Sequence, residues 1–237
     1  MKHPFLTKSL LIAATLALGF NARVFAQSAT ATAAPAAAPS SQSYDNTPGV
    51  GLLGSRYVGV DYGYLRFDQA GGPQSGHEFG ATYNQPIMPG LDFTADVTDT
   101  STGYFSTHPR ETQALAGLTA YQAVNSWLKP FISGQAGVSF TRDAQLFSDS
   151  GTLTRGTGGF DHDNFDYVLA AGAEFQVLPA FVLTPTVSYQ EVHRFYHDWD
   201  YGVKATYRLT RHWSVSVTPE IDQHKNLAYL GGVNFHF

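Results

Sequence analysis

The chain has 237 residues, 43% of them hydrophobic and 14% aromatic, with only 14% charged, no cysteine and a formal net charge of −5. The absence of cysteine excludes thiolate chemistry, disulfide bonds and a lipid anchor on cysteine. The acidic balance argues against a nucleic-acid partner. A charged fraction well under the roughly 25% of soluble domains, beside abundant aromatic residues and glycine, favours a protein that crosses a membrane with β-strands.

The N-terminus carries the pattern of a signal peptide. Lys2 and Lys8 precede an apolar run over residues 10–20, and small residues lead to Ala26. We therefore predict that residues 1–26 are removed after export, which takes away three of the 14 basic residues and none of the 19 acidic ones, leaving a net charge of −8. The apolar run is shorter than the about 20 residues that a membrane-spanning helix requires, so any membrane crossing must use strands.

A stretch of alanine, proline, serine, threonine and glutamine follows, over residues 27–43. This composition lacks the bulky side chains that offset the entropy of ordering a chain. We interpret residues 27–54 as a disordered linker and residues 55–237 as the folded domain. A partner-binding tail is the alternative for the linker.

The rest of the chain alternates apolar and polar residues with a period of two, which is the signature of β-strands. In the clearest segment, Leu91, Phe93, Ala95 and Val97 alternate with polar residues. Pro185 cannot donate to a strand ladder, so a bulge is expected there. The ten predicted strands cover residues 56–67, 77–85, 91–98, 112–123, 130–141, 164–177, 181–192, 199–209, 213–221 and 227–237. The fourth of these has two bland faces, so its inner and outer sides stay unassigned.

The connections between these segments alternate in kind along the chain. The even-numbered ones are short turns, whereas the odd-numbered ones are generally longer or polar, the longest being residues 142–163. Transmembrane barrels show this asymmetry, with an even number of strands, short turns on the periplasmic side and longer loops outside. The sequence thus predicts an all-β fold, a transmembrane antiparallel up-and-down β-barrel of ten strands. Eight strands are the alternative if Pro185 or Pro219 marks a segment that does not span.

The last predicted strand ends the chain on an apolar face and an aromatic residue. Gly232, Phe235 and Phe237 match the C-terminal assembly signal of outer-membrane barrels, although Leu230 occupies the polar position of that signal. On this pattern, residues 56–237 resemble the small outer-membrane barrel proteins of Gram-negative bacteria, the OmpA/OmpX-like and opacity-type porin group. The resemblance describes architecture better than activity.

This resemblance implies a location in the cell outer membrane, with outer-membrane lipids and the barrel-assembly machinery as partners. It also implies roles in adhesion, envelope stability or stress. We predict a structural or adhesin-like role through the outer loops, whose surface ligand is unknown, with a narrow pore for ions or small solutes as the alternative. We predict no catalytic residue, metal site or cofactor, because no serine carries the sequence signature of an activated nucleophile. An enzyme acting on lipid A or peptides is the second alternative.

Charged residues on the polar face of the strands are expected to lie in the lumen of a narrow barrel. Burying an unpaired charge is costly, so these side chains are expected to pair. We predict a polar network that plugs the barrel rather than a conduction path, because open channels are associated with about 16–18 strands. The predicted lumen network comprises Asp61, Asp92, Asp96, Glu174, Lys204 and Arg208.

One predicted rim cluster, His193, His197, Asp198 and Asp200, is the densest group of potential metal ligands. Four residues of extended strand span about 13 Å at roughly 3.3 Å per residue, so the two histidines would be too far apart to share one ion. We therefore interpret the cluster as a solvated rim of the barrel, with a metal or catalytic role as the alternative. Residues 161–163, a second acidic group with a histidine, are interpreted as part of an exposed loop.

Overall fold

The computed structural model describes residues 51–69, 72–102, 110–144, 160–193 and 196–237. These residues form ten antiparallel strands that close into a barrel, so the predicted ten-stranded fold is confirmed. The strands are β1 (Tyr57–Gln69), β2 (Gly72–Met88), β3 (Leu91–Thr102), β4 (Arg110–Tyr121), β5 (Leu128–Ala144), β6 (Phe160–Leu178), β7 (Phe181–Val192), β8 (Tyr196–Arg208), β9 (Trp213–Asp222) and β10 (Leu227–His236). Within the described ranges, no helix is long and apolar enough to cross a membrane. The predicted signal peptide and residues 27–50 of the predicted linker lie outside the described residues.

Each strand pairs with its neighbours in the chain, and β1 closes the barrel by pairing with β10. The closing ladder runs from Tyr57 opposite His236 to Arg66 opposite Leu227. Closure gives both terminal strands a partner on each side and leaves no free edge. A membrane protein built from strands requires this because lipid offers no hydrogen-bond partners to the backbone.

The two ends of the barrel differ in their connections. We call the end at which β1 begins and β10 ends the turn end; its connections are residues 89–90, 122–127, 179–180 and 209–212. The opposite, loop end carries residues 70–71, 103–109, 145–159, 193–195 and 223–226. The loop end thus holds the two longest connections. The first connection, between β1 and β2, and the seventh, between β7 and β8, are shorter than the sequence predicts.

The strands extend further toward the loop end than the sequence predicts. β5 has 17 residues and β6 has 19, and their ladder takes in Thr141 opposite His162, so residues 161–163 are paired strand and not loop. The backbone ladder does not depend on apolar side chains, and it therefore continues beyond the alternating apolar segment. A register shift between Thr141 and Ala144 accompanies this extension.

Apolar side chains face outward and polar side chains face inward, the reverse of a soluble protein. On β1, Val60 and Tyr62 are 47% and 56% exposed, whereas the inward Tyr57 is 8% exposed. The bland fourth strand is resolved by the burial of Leu115 and Thr119, which places their parity inside. Packing therefore assigns a face that sequence periodicity left open.

Outward aromatic residues form a belt near each end. At the turn end, Phe235 lies 4.9 Å from Trp213 between ring centroids. At the loop end, Tyr189 lies 5.1 Å from Trp199. Along β7, Phe181 and Tyr189 are eight residues apart, which is about 26 Å of strand and about 20 Å of height after tilting by about 40°. Barrels in membranes carry such belts on either side of an apolar band about 25 Å tall.

The prediction of a bulge at Pro185 is wrong, because the strand register does not shift there. The ladder between β6 and β7 is interrupted opposite Pro185, yet the pairs Gly172–Thr186 and Phe175–Leu183 on either side keep one register. A Cβ on Gly172 would lie 2.4 Å from the Pro185 carbonyl oxygen. Glycine thus lets the two backbones approach closely, and the missing proline N–H is accommodated without an inserted residue.

Candidate functional site

The inward face carries more charge than the predicted network contains. All six predicted lumen residues lie on this face, and Asp92 and Glu174 are among the most buried side chains, at 0% and 5% exposure. Further charged residues of the same inward parity are Glu78, Glu111, Lys129, Asp166, Asp200 and Glu220. The alternation rule already places four of these within the predicted strands, and it places Glu111 and Lys129 once β4 and β5 are given their full length.

Residues 51–55, which we call the capping segment, cross the lumen at the turn end. Glu174 Oε1 accepts hydrogen bonds from the backbone N–H groups of Leu52 and Leu53, at 2.7 and 3.1 Å. A carboxylate that accepts two backbone donors has its charge partly compensated without a cation. Residues 51–54 belong to the predicted linker, and in the structure they bond to the barrel wall.

A second carboxylate holds the other half of the capping segment. Asp92 Oδ2 accepts the Gly54 N–H at 2.8 Å and the Asn84 amide at 3.0 Å. The same Asn84 amide donates to the Ser55 carbonyl at 2.8 Å. Asp92 and Asn84 lie on neighbouring strands, and both are almost completely buried. The end of the segment is therefore fixed to β2 and β3.

Two cations bind the carbonyl groups of the same segment. Lys129 Nζ donates to the Leu53 carbonyl at 3.1 Å, and Arg208 Nη2 donates to the Gly51 carbonyl at 3.2 Å. The capping segment thus contacts side chains from β2, β3, β5, β6 and β8, strands that lie around the whole circumference. A segment that bonds to so many parts of the wall must pass across the opening.

Two glycines make this close fit possible. Gly51 and Gly54 have φ values of 51° and 78°, in the left-handed region that favours glycine. A Cβ on Gly51 would lie 2.2 Å from Glu174 Oε2, and a Cβ on Gly54 would lie 2.6 Å from the Tyr121 hydroxyl. The positions are therefore restricted both by backbone conformation and by space.

The middle of the lumen contains two carboxylates from the predicted network. Asp96 accepts the Thr82 hydroxyl at 2.6 Å and the Gln135 amide. Asp61 lies opposite glycine on both neighbouring strands, and a Cβ on Gly80 would lie 2.3 Å from its Oδ2. Lys204 on β8 is the cation that interacts electrostatically with both. The structure thus brings three of the six predicted residues together here.

The loop-end half of the lumen is acidic. Glu111 accepts the Ser139 hydroxyl at 2.5 Å, and Asp166 accepts the Gln190 amide at 3.0 Å. Glu78 accepts a longer bond of 3.3 Å from Thr100. Asp200 and Glu220 add two more inward carboxylates. The loop-end half therefore concentrates inward carboxyl groups.

A buried serine and histidine at the turn end were absent from the predicted sites. The chain contains one His-x-Ser sequence, His212-Trp213-Ser214, but the Ser214 hydroxyl bonds to His236 Nε2 at 2.9 Å instead of to His212. His236 Nδ1 lies 3.4 Å from Arg208 Nη2, which can only donate. His236 Nε2 is therefore assigned the hydrogen, and it donates a hydrogen bond to the Ser214 hydroxyl. A histidine that activates a serine nucleophile accepts a hydrogen bond from the hydroxyl instead.

The predicted rim cluster is divided between the two sides of the wall. His197 faces outward opposite Glu191, Asp200 faces inward, and His193 lies in the turn after β7. Asp198 Oδ1 accepts the backbone N–H of Trp199 at 2.8 Å. In the part of the chain that the structure describes, no group of three or more potential ligands could hold a metal ion.

The outer wall near the loop end also carries polar groups. Glu191 Oε2 accepts the hydroxyls of Tyr167 and Tyr189, at 2.5 and 3.1 Å. The Tyr62 hydroxyl and His77 Nδ1 are 2.7 Å apart. Phenol groups that bond beside apolar wall are typical of the boundary between lipid and water.

The residues of the predicted assembly signal lie on both faces of β10. Phe235 and Phe237 face outward, with ring centroids 6.1 Å apart, and the Arg56 guanidinium lies 4.7 Å from the Phe237 ring centroid. Gly232 faces inward opposite Asp61, and a Cβ there would lie 2.8 Å from Ser216 Oγ. The glycine of the signal thus leaves room for lumen side chains.

Comparison with known proteins found similarity only among solved structures, since no family model and no curated protein matches the chain. Neisserial surface protein A is 14% identical over 77% of this chain and 97% of that chain, with a TM-score of 0.43. KdgM porin is 13% identical over 76% and 99%, with a TM-score of 0.40. Ail, the attachment invasion locus protein of Yersinia pestis, is 12% identical over 77% and 99%, with a TM-score of 0.38.

The expected resemblance to small outer-membrane barrels is confirmed as a likeness in fold. Identities this low concern the fold and carry no information on activity. The assignment of the fold rests on the closed ladder of ten strands in this chain.

Proposed function

We propose that this protein is an outer-membrane barrel that is closed to solutes at its periplasmic end and that serves as a rigid carrier of surface loops. The observation that carries the closure is the capping segment, which bonds to five strands around the opening through Glu174, Asp92, Asn84, Lys129 and Arg208. The apolar exterior and the two aromatic belts support a location in the membrane. The turn end, where β1 begins and β10 ends, then faces the periplasm.

The proposed role of the loops in binding is supported by the end of the barrel at which they join the strands. The two longest connections, residues 103–109 and 145–159, lie at the loop end, which faces outside in this arrangement. Loops carried on a rigid scaffold are the usual place for binding residues. An adhesin-like contact with a host, phage or neighbouring-cell surface is the function that this arrangement supports best, with envelope integrity as its structural counterpart.

Orientation and binding are tested on cells. An epitope inserted within residues 145–159 should be accessible to antibody on intact cells, whereas one inserted in the turn-end connection at residues 179–180 should not. Deleting residues 147–159 should abolish attachment of expressing cells to epithelial cells or to each other, while deletion of residues 103–109 serves as the matched loop control. Retained attachment with a folded, heat-modifiable barrel would exclude the longer loop as the binding site.

A narrow cation pore is the second candidate, favoured by the acidic loop-end half of the lumen. The capping segment is held by hydrogen bonds and is not part of the wall, so its removal leaves a negatively lined path. Planar-bilayer recording of the intact chain should show no conductance steps. Reproducible cation-selective steps from the intact chain would favour the pore over the closed barrel.

Unchanged lipid A mass spectra and uncleaved peptides on expression are the expected results for a protein without catalytic activity.

A further inference from the structure

The outward face of β3, β4 and β5 changes from apolar to polar near the loop end. On β3 the outward residues run from Ala95 and Val97 to Asp99, and on β4 they run from Ala114 to Thr112. β5 changes from Val138 and Phe140 to Arg142 in the same way. The register pairs Asp99 with Thr112 and Thr112 with Phe140, so the change on β5 lies one outward position nearer the loop end and the boundary is continuous. Such a boundary marks the level where acyl chains end and headgroups begin.

A pocket of about 480 Å³ lies on this boundary, lined by Asp99, Arg110, Thr112, Phe140 and Arg142. Asp99 accepts hydrogen bonds from Arg110 Nε at 2.8 and 2.9 Å and from Nη2. Thr112 also donates to Asp99, at 3.4 Å. Arg110 is therefore held in place by a carboxylate, although its side chain is 62% exposed.

Arg142 lies directly opposite Arg110 in the ladder between β4 and β5. Two like charges at paired positions destabilise a sheet unless a counter-charge lies between them. Asp99 compensates one of the two guanidinium groups, and within the described residues no hydrogen bond or ion pair engages Arg142. The pocket thus has one positive charge in excess, beside an exposed phenylalanine ring.

We propose that this pocket binds a phosphate group of a lipid headgroup in the outer leaflet. Arginine presents a planar fork of donors that matches phosphate oxygens, and Arg142, which no described residue engages by a hydrogen bond or ion pair, offers that fork while Arg110 adds charge from the paired position. Phe140 and the apolar rows below it contact the hydrophobic part of the same lipid. The inference rests on the outer-membrane placement proposed above, and it adds a lipid site that the loop function does not require.

The test compares lipids that differ only in phosphate. The folded full chain, purified in zwitterionic detergent, is incubated with diphosphoryl lipid A or with the same lipid after phosphatase treatment, and retained lipid is measured by native mass spectrometry. The wild type should retain the phosphorylated lipid at least about tenfold better. Equal retention of the two lipids overturns the proposal, and this arm requires no variant to fold.

Variants then locate the site. R142Q and R110Q should each lose about tenfold of the preference for phosphorylated lipid A, and the control R66Q, an outward arginine near the loop end of β1, should keep it. Heat-modifiable migration shows that each variant is folded. Loss in R66Q to the same extent, or no loss in R142Q, overturns the assignment to this pocket.

A third arm separates a lipid headgroup from free phosphate. Inorganic phosphate should displace retained lipid A only at concentrations far above those of the lipid, because the free ion lacks the contact with Phe140 and the apolar rows. Displacement at equal concentrations overturns the lipid as the source. Since every arm uses purified protein in detergent, failure here is distinguishable from failure of loop-mediated attachment or of closure, which are measured on cells and in bilayers.

Discussion

Glu174 and Gly51 fit together so closely that a Cβ on Gly51 would lie 2.2 Å from Glu174 Oε2. Glu174 lies near the turn end of β6, whereas Gly51 precedes the first strand, and 122 residues separate Glu174 from Leu52, whose N–H it also binds. A contact of this range joins the start of the domain to the far wall of the barrel. It is one of the contacts on which the proposed closure of the turn end rests.

Substituting Gly51 should destabilise the folded barrel. In G51V the added side chain meets Glu174, and a β-branched residue is strained at a φ of 51°, so the free energy of unfolding should fall by about 1–3 kcal/mol. G231V is the control, since a Cβ on Gly231 has no atom within 4 Å. Urea titration in lipid vesicles, followed by tryptophan fluorescence, measures both. Equal unfolding free energies would show that the fit at Gly51 contributes nothing.

Removing the Glu174 carboxylate should release the capping segment. E174A takes away the acceptor of two backbone N–H groups, and charged hydrogen bonds of this kind contribute about 1.5–3 kcal/mol. In planar bilayers we expect conductance steps from E174A that are absent from the wild type. E220A, which removes another inward glutamate nearer the loop end, should stay silent. A silent E174A barrel that is folded would contradict closure by this segment.

Deleting Phe237 should impair assembly more than deleting a loop. The Phe237 N–H donates to the Arg56 carbonyl at 3.2 Å, and its ring packs against Phe235 and the Arg56 guanidinium. Loss of Phe237 removes a contact between the residue after β10 and the residue before β1, where the two closing strands pair. The inserted fraction, measured by heat-modifiable migration from isolated outer membranes, should fall below that of a deletion of residues 103–109. Efficient insertion without Phe237 would weaken its role as an assembly signal.

A charge on the outer wall should be costly in proportion to its depth. Val217 on β9 is 57% exposed and lies between the two aromatic belts. Arginine at such a position costs about 2–4 kcal/mol near the membrane midplane. V217R should therefore lower the free energy of unfolding, measured in vesicles, by that amount. V217L keeps the apolar surface and should change it little. An unchanged value for V217R would place this part of the wall outside the lipid.

The strands, their number and their faces could be predicted because alternation is a local property. Val60 and Asp61 are neighbours in sequence and lie on opposite faces of any strand. Extending the same parity to Glu78 and Asp166 would have placed more of the lumen charge correctly. The expected bulge at Pro185 failed because its accommodation depends on Gly172 in a neighbouring strand, which no local rule includes.

The sequence by itself determined an all-β chain with ten alternating segments, a short-turn end and an apolar outer face, since each of these follows from residues within about ten positions of one another. Only the tertiary structure decided how the lumen is filled. The capping segment has no apolar periodicity to reveal it, and its place comes from hydrogen bonds to Glu174 and Asp92, which closure of the barrel brings within reach. The facing of Arg110 and Arg142 is likewise a matter of register between strands.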